Sequence, residues 1–355
     1  MRIALAHDSF TQLGGAERVM EALHELFPNA PIYTLVLDSK LKEKYKSWDI
    51  RTSWLQVLYN FIPKLQYLLP FIPMAVASLD FSGYDVVISS SSGFIKNIRV
   101  PKNCKNINYC HTPTRFLWNE PEYVDQEVPH ILKFAVKPIL RWMKSWDYKG
   151  AQRVTLFIAN SKEVQNRIQK YYNRSSELVY PFIDSAFWYS TDEKKNYFLL
   201  SGRLQAHKNT EFVIQIFNEL GLPLHIVGTG RYEKYLKSIS KSNISFLGWL
   251  EDGALRDEYS SAKALLFPQT EDFGLVPLEA ASCGTPTIAF AKGGALETVI
   301  DGQTGMFFKS YNPEELKKII INFNAEQFKP YILSEQANKF NKQIFNTKIL
   351  NLIQS

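Results

Sequence analysis

Two periodicities alternate along this chain. Short apolar runs bounded by glycine or polar residues predict strands at 2–7, 31–36, 85–90, 106–110 and 154–159. Between them, apolar residues spaced three and four apart predict helices at 15–27, 129–147 and 161–172. The pattern restarts after residue 195. Strands are predicted at 197–201, 222–227, 243–247, 263–267 and 286–290, and helices at 209–220, 231–240, 252–261, 277–283 and 313–323. Strands alternating with helices imply an α/β fold, each half a doubly wound parallel sheet with helices on both faces. The expected domains are 1–182 and 183–332, joined by an irregular link over 181–195. A last helix at about 333–354 follows Pro330, and 333–355 is expected to cross back and join the first domain. Two such sheets facing one another leave a cleft at the C-terminal ends of their strands, where ligands of open α/β sheets bind.

A chain of 355 residues has room for two ordinary domains, and 45% hydrophobic content suits a globular protein rather than a disordered one. The net charge of +6 is uneven. Residues 1–180 carry 23 Lys/Arg against 16 Asp/Glu, and residues 181–355 carry 18 against 19. The first half therefore expects an anionic partner, phosphate or a lipid surface. The dense basic stripe or recognisable module of a nucleic-acid binder is missing. Cys104, Cys110 and Cys283 form no C-x-x-C pair, and three cysteines make no disulfide framework, so a reducing, cytoplasmic compartment is expected. The start MRIALAHDSF reads as a buried strand rather than a signal peptide. Residues 54–79 are strongly apolar, but Pro63, Lys64, Pro70 and Pro73 break them too often for a span. They suit a membrane interface, a hydrophobic pocket or ordinary core. Residues 133–153 place Lys133, Lys137, Arg141 and Lys144 at helical spacing, with Trp142 and Trp146 four apart. Such a helix can lie on anionic lipid or present a solvated face over a Trp-lined core.

The most informative stretch is TEDFGLVPLEAASCGTP, 270–286. Glu271 and Glu279 stand eight positions apart around a glycine turn and the start of a helix, which Pro277 is expected to open. The amides of Phe273, Gly274 and Leu275 then lie at a helix N-terminus, a ready anion site. A carboxylate on either side suits a phosphate flanked by polyhydroxyl groups, as in a nucleotide-sugar. Acidic residues near a helix start also do no more, in many proteins, than complement its dipole. In SGRLQAHKN, Arg203 and Lys208 follow a strand and precede a helix capped by Asn209 or Thr210, placed to neutralise a diphosphate. HDSFTQLGGAERV puts Gly14 and Gly15 after the first strand and before a helix, where backbone can approach a phosphate. In YCHTPTRFLW, His111 ends a strand and can hydrogen-bond a sugar hydroxyl or shuttle a proton, and Arg115 is a candidate contact to phosphate or acceptor. The glycines of GTGRYEKYL line a nucleotide or form a plain turn. Backbone at Gly248, Trp249 and Leu250 is a candidate base contact, and GGALETVIDGQTG reads as mainly structural. No Asp-x-Asp and no closely spaced His/Cys/carboxylate cluster appears, so no metal is expected.

The order GGAER, HTPTRFLW, ANS (159–161), GRLQAHKN and EDFGLVPLE resembles the family 4 retaining glycosyltransferases of the GT-B fold, over nearly the whole chain. The HTPTRFLW form is most similar to the branch of bacterial O-antigen and exopolysaccharide mannosyltransferases. The resemblance implies roles by position. Gly15, Arg203 and Lys208 would hold the donor diphosphate. Glu271, with Phe273, Gly274 and Leu275, would hold the donor sugar, and Glu279 the ribose. His111 would touch the sugar near the reacting carbon, so His111 and Glu271 are the catalytic candidates. It further implies retention of configuration without a metal, GDP-mannose as donor and a lipid-linked glycan as acceptor, with the protein peripheral on the inner face of the cell membrane. The alternatives are a UDP-sugar-dependent transferase of the same family, a nucleotide-sugar 2-epimerase and a non-catalytic nucleotide-sugar-binding subunit.

Overall fold

The computed structural model describes residues 1–118, 130–190 and 194–354, with backbone alone over 130–136. The chain divides into two compact units, Met1–Tyr180 and Pro181–Ser355.

The first unit is a seven-stranded parallel sheet. Its strands are β1 (Ile3–His7), β2 (Ile32–Thr34), β3 (Ile50–Thr52), β4 (Val86–Ser91), β5 (Lys105–Cys110), β6 (Leu156–Ala159) and β7 (Glu177–Leu178). They lie in the order β3-β2-β1-β4-β5-β6-β7. The central strands are buried on both faces, which is why they read as continuous apolar runs. The edge strands β3 (IRT) and β7 (EL) are too short and too polar to show a period, and the sequence reading misses both. One core cluster takes alternate residues Ala4 and Ala6 of β1 and packs them against Leu55, Tyr59, Leu68, Ile72 and Met143. The apolar segment 54–79 folds as three short helical pieces, Leu55–Phe61, Leu65–Phe71 and Ile72–Ala77. Among the described residues no helix is long and apolar enough to cross a membrane.

The second unit is a six-stranded parallel sheet of β8 (Phe198–Ser201), β9 (Leu224–Val227), β10 (Ile244–Gly248), β11 (Ala264–Phe267), β12 (Thr287–Phe290) and β13 (Gly305–Phe308). Its order is β10-β9-β8-β11-β12-β13. The expected helices form with shifts of one or two residues, apart from the last. The single helix expected at 333–354 is two, Pro330–Asn338 and Lys342–Gln354.

That C-terminal region groups with the second unit, where the sequence reading had joined it to the first. The physical reason is local. Ile183 pairs its backbone with Asn341, and Phe182 packs on Phe345 with ring centroids 5.0 Å apart. The segment after Pro181 is likewise less of a free link than its polarity suggests. Trp188 is 3% exposed, packs against Tyr259, and its carbonyl accepts a hydrogen bond from Ser282 at 2.5 Å. Residues 191–193 of the expected link lie outside the described residues.

Both sheets have a point where the strand order reverses: between β1 and β4 in the first, between β8 and β11 in the second. At such a point neighbouring loops leave in opposite directions and open a crevice beyond the carboxyl ends of the strands.

Candidate functional site

In the second unit the loops after β8 and β11 carry the charged motifs, and they meet at the reversal point. Lys208 ends a short 3-10 turn, Ala206–Lys208, and its ammonium is ion-paired with Glu271 in the loop after β11. Both are largely buried, with side chains 13% and 27% exposed. Gln269 also donates to the Glu271 carboxylate at 3.4 Å. Two residues 63 apart in sequence thus form one charged centre. Arg203 sits on the same loop as Lys208 and is exposed.

The helix after Glu271 runs Leu275–Ser282, two residues earlier than expected. Gly274 is its N-cap at φ 90°, a conformation that favours glycine. Pro277 sits inside the first turn rather than opening it, at no cost, because the N–H it lacks has no intrahelical partner there. Glu271 thus precedes the helix start, and Glu279 lies within the helix, 5% exposed. Phe273 is buried and packs on Phe340. The GGALETV glycines shape this loop from outside. A Cβ on Gly294 would fall 2.0 Å from the Phe273 carbonyl oxygen, and one on Gly293 2.5 Å from that of Glu271.

The glycines of GTGRYEKYL do similar work. A Cβ on Gly228 would meet the Gly202 carbonyl oxygen at 2.0 Å, and one on Gly230 that of Leu204 at 2.1 Å. These contacts account for the glycines by close packing of loops, which neither sequence reading, a nucleotide lining or a plain turn, had named. The Gly228 N–H also donates to the Gly248 carbonyl at 2.6 Å, so that carbonyl of the expected base-binding stretch is engaged by a neighbouring loop. Trp249 stands 71% exposed beside it, and Leu250 is half-buried.

One support was invisible in the sequence. Asn209, in the left-handed region at φ 54°, does not cap the helix Thr210–Leu220 with its side chain as expected. Its amide donates instead to the Tyr311 hydroxyl at 2.6 Å, and that hydroxyl donates to the Pro268 carbonyl at 2.8 Å. Tyr311 thereby ties the residue after Lys208 to a residue three before Glu271.

In the first unit, the ends of β1, β4 and β5 bring together His7, Ser90 and His111. His111 Nε2 lies 2.8 Å from Ser90 Oγ. Its pKa is pushed down to about 3, first by burial and then by the neighbouring His7. Held neutral in this way, the His111 ring is a hydrogen-bonding group in this site. His7 is also buried, with Nε2 3.6 Å from Glu17 in the first turn of the helix Gly15–Leu26. Gly14 is the N-cap of that helix and Gly15 is exposed. The Asp8 carboxylate accepts the amides of Ser92, Phe94 and Ile95 at 2.6–2.8 Å, joining the loops after β1 and β4. His7, Asp8 and Ser90 escaped the sequence reading, because only strand pairing makes them neighbours.

The low pKa of His111 has a consequence for stability. An unfolded histidine takes up its proton near pH 6.5, which the folded site resists, so the contribution present above that pH is lost as pH falls toward 3. Lowering the pH from about 7 to about 5 is expected to cost about 2 kcal/mol that a His111→Gln variant does not lose. Urea unfolding of both proteins at the two pH values measures it, and equal losses would contradict the assignment.

YCHTPTRFLW also does more structural work than expected. Thr114 and Trp118 hydrogen-bond Asp147, which is 0% exposed and ion-paired with the equally buried Lys96. Arg115 opens the short helix Arg115–Trp118 and is half-buried. Of the expected basic helix face, Lys137, Arg141 and Lys144 are exposed, while the side chain of Lys133 lies outside the described residues. Among the described residues no three His, Cys, Asp or Glu side chains gather as a metal site requires.

Comparison with known proteins fits this arrangement. Residues 13–187 match the family described as Glycosyltransferase Family 4, and residues 184–344 match Glycosyl transferases group 1. The chain belongs to the GT4-type glycosyltransferases. An uncharacterized glycosyltransferase of Methanocaldococcus jannaschii is 28% identical over 192 residues, 52% of this chain and 54% of that protein. A GDP-mannose-dependent monoacylated alpha-(1-6)-phosphatidylinositol monomannoside mannosyltransferase of Corynebacterium glutamicum is 35% identical over 109 residues, 28% of each chain. The chain thus spans about half the length of the first relative and less of the second. Among solved structures, Anabaena HepE in complex with UDP superposes with a TM-score of 0.76 over 100% of both chains at 17% identity. That likeness concerns the fold, and it makes the two parallel sheets of this chain a GT-B fold.

Proposed function

We propose that this protein transfers a hexose from a nucleotide-sugar to a lipid-linked glycan, with GDP-mannose as donor. The observation that carries the donor reading is the Lys208–Glu271 pair at the reversal point of the second sheet, beside the helix N-terminus at Gly274. A diphosphate needs cations and free amides, and a sugar needs a carboxylate to accept its hydroxyls. Lys208, Arg203 and that helix start supply the first set, Glu271 the second, and Glu279 would receive the ribose. The Corynebacterium mannosyltransferase supports the choice of GDP-mannose and of a lipid acceptor, since its matched part is 35% identical to this chain.

The mechanism follows from charge. The bond between the anomeric carbon and the diphosphate oxygen breaks as the negative charge on the leaving group grows. Lys208 and Arg203 stabilise that charge where it develops. The acceptor oxygen bonds to the anomeric carbon on the face the diphosphate leaves, so configuration is retained. Its proton passes to the departing phosphate oxygen, and no protein base is required.

The test is donor turnover by purified protein against a panel of GDP- and UDP-sugars, with EDTA present and a lipid-linked acceptor supplied. Selective use of GDP-mannose supports the proposal. Preference for a UDP-sugar overturns the mannose assignment and keeps the class, whereas a C2-epimerised donor without transfer overturns the class.

Tyr311 is expected to act as a positioning residue. Tyr311→Phe removes the hydroxyl that links Asn209 to Pro268, two hydrogen bonds worth about 1 kcal/mol each. The expected result is a roughly tenfold fall in kcat with little change in KM. Unchanged kcat with a lowered unfolding midpoint would make Tyr311 merely structural.

A further inference from the structure

The first unit carries an apolar surface that none of the donor-binding residues occupies. Along 54–74, Trp54, Val57, Phe61, Ile62, Tyr67 and Met74 are exposed, Phe61 to 82%. Scattered apolar side chains on a surface are ordinary, but these fall within 21 consecutive residues of one helical layer. The buried side of the same layer, Leu55, Tyr59, Leu68, Ile72 and Val76, belongs to the core cluster described above. The exposed residues are therefore a second apolar face rather than misplaced core.

The helix His130–Ala151 covers that same core, through Met143 and the partly buried Leu140 and Trp146. Its outward side mixes apolar and basic groups: Ile139, Trp142 and Tyr148 are exposed together with Lys137, Arg141, Lys144 and Lys149. The charges are of one sign. The one acidic residue of that helix, Asp147, is buried against Lys96, and no Asp or Glu occurs anywhere in 51–79. An apolar strip that carries Lys64 and adjoins the exposed Lys137, Arg141, Lys144 and Lys149 matches the headgroup region of an anionic bilayer: apolar side chains enter the acyl boundary while Lys and Arg stay at the phosphates. Aromatic residues such as Trp54, Tyr67 and Trp142 are of the type that settles at that boundary.

We infer that the 54–74 layer and the outer face of that helix over 137–149 form a docking surface for an anionic lipid bilayer. The surface takes its purpose from the lipid-linked acceptor proposed above, but its test needs neither donor nor acceptor.

The experiment is flotation of the full chain with phosphatidylcholine vesicles, with and without phosphatidylglycerol. The expected result is flotation with the anionic vesicles, weakened by salt. Val57→Ser with Phe61→Ser should weaken binding roughly tenfold or more, because the apolar area entering the lipid is lost. Lys137→Gln and Arg141→Gln should each weaken it about fivefold. All four side chains are exposed, so the unfolding midpoint should hold. Absence of flotation overturns the proposal, as does binding indifferent to the apolar substitutions. A dimer dissociated by the Val57 and Phe61 substitutions in sedimentation equilibrium would make a second copy the occupant, and that too overturns it. Donor hydrolysis, measured without vesicles, separates the two readings. Hydrolysis without flotation removes the docking surface and leaves the transferase, and flotation without turnover of any donor does the reverse.

Discussion

Replacing Lys208 by methionine is expected to lower kcat/KM for donor turnover by about 10²–10³-fold, the cost of removing one preorganised group from a developing anion. Two effects add. The leaving diphosphate loses a cation, and Glu271 loses the partner that neutralises it. An uncompensated carboxylate beside a diphosphate repels it, so the variant should be worse than the missing cation alone implies. Three measurements separate this from a folding defect. The unfolding midpoint of Lys208→Met should stay near that of the parent, since the pair lies at a sheet's loop end rather than in its core. Lys208→Arg should recover part of the rate, because it restores charge without the point geometry of an ammonium. The double variant Lys208→Met with Glu271→Gln should lose less than the sum of the two single losses, because residues acting on one charge are non-additive. Full activity in Lys208→Met would remove the pair from the reaction and, with it, the central support for the donor site.

That pair was legible in the sequence in its parts and not as a pair. Arg203, Lys208, Glu271 and Gly274 could be singled out because charges and glycines directly after an apolar run mark the end of a parallel strand, where such folds bind ligands. Nothing in the spacing says that Lys208 touches Glu271, since that contact depends on β8 and β11 being neighbours in the sheet. The same limit hides Tyr311, 102 residues from Asn209, and His7, whose nearness to His111 comes from β1 and β5 flanking β4. Local rules also failed where tertiary packing overrode them. Asn209 has the residue type of a helix cap, yet its side chain spans two loops instead. Gly228 and Gly230 have the look of a ligand loop and are explained by carbonyl oxygens 2.0–2.1 Å from where a Cβ would stand. The polar stretch after Pro181 has the composition of a linker but pairs with Asn341 and buries Trp188, so the C-terminal helices stay with the second unit. Period and composition report what one element wants, and these sites are set by what another element supplies.

The stability of the first unit should depend sharply on Asp147. Read from the sequence, it is one acid in a basic helix. In the fold it is 0% exposed and is the acceptor for four side chains besides forming the ion pair with Lys96: Thr114 at 3.0 Å, Trp118 at 2.7 Å, Tyr172 at 2.8 Å and Asn97 at 3.5 Å. Burial, and next the Asp147 charge, hold the Tyr172 phenol well above its ordinary pKa, so it remains a donor. Asp147→Ala would leave the Lys96 ammonium buried without its counter-charge and the Trp118 and Tyr172 donors without an acceptor. Removing one member of a buried ion pair costs about 3–5 kcal/mol. A loss of that size is expected in urea unfolding, a large fraction of an ordinary domain's stability. The compensating experiment decides whether the charge is the cause. In Lys96→Met with Asp147→Leu no buried charge remains, and well-packed apolar residues can replace such a pair at little cost. The double variant should therefore recover much of the stability that Asp147→Ala loses, short of full recovery because Trp118 and Tyr172 still lack their acceptor, whereas Thr114 keeps the Gly93 carbonyl. A double variant as unstable as the single one would show that those hydrogen bonds, rather than the buried charge, hold the Thr114–Trp118 segment to its helix. Activity should follow in either case, because that segment begins three residues after His111 and is fixed to the body of the unit through Asp147.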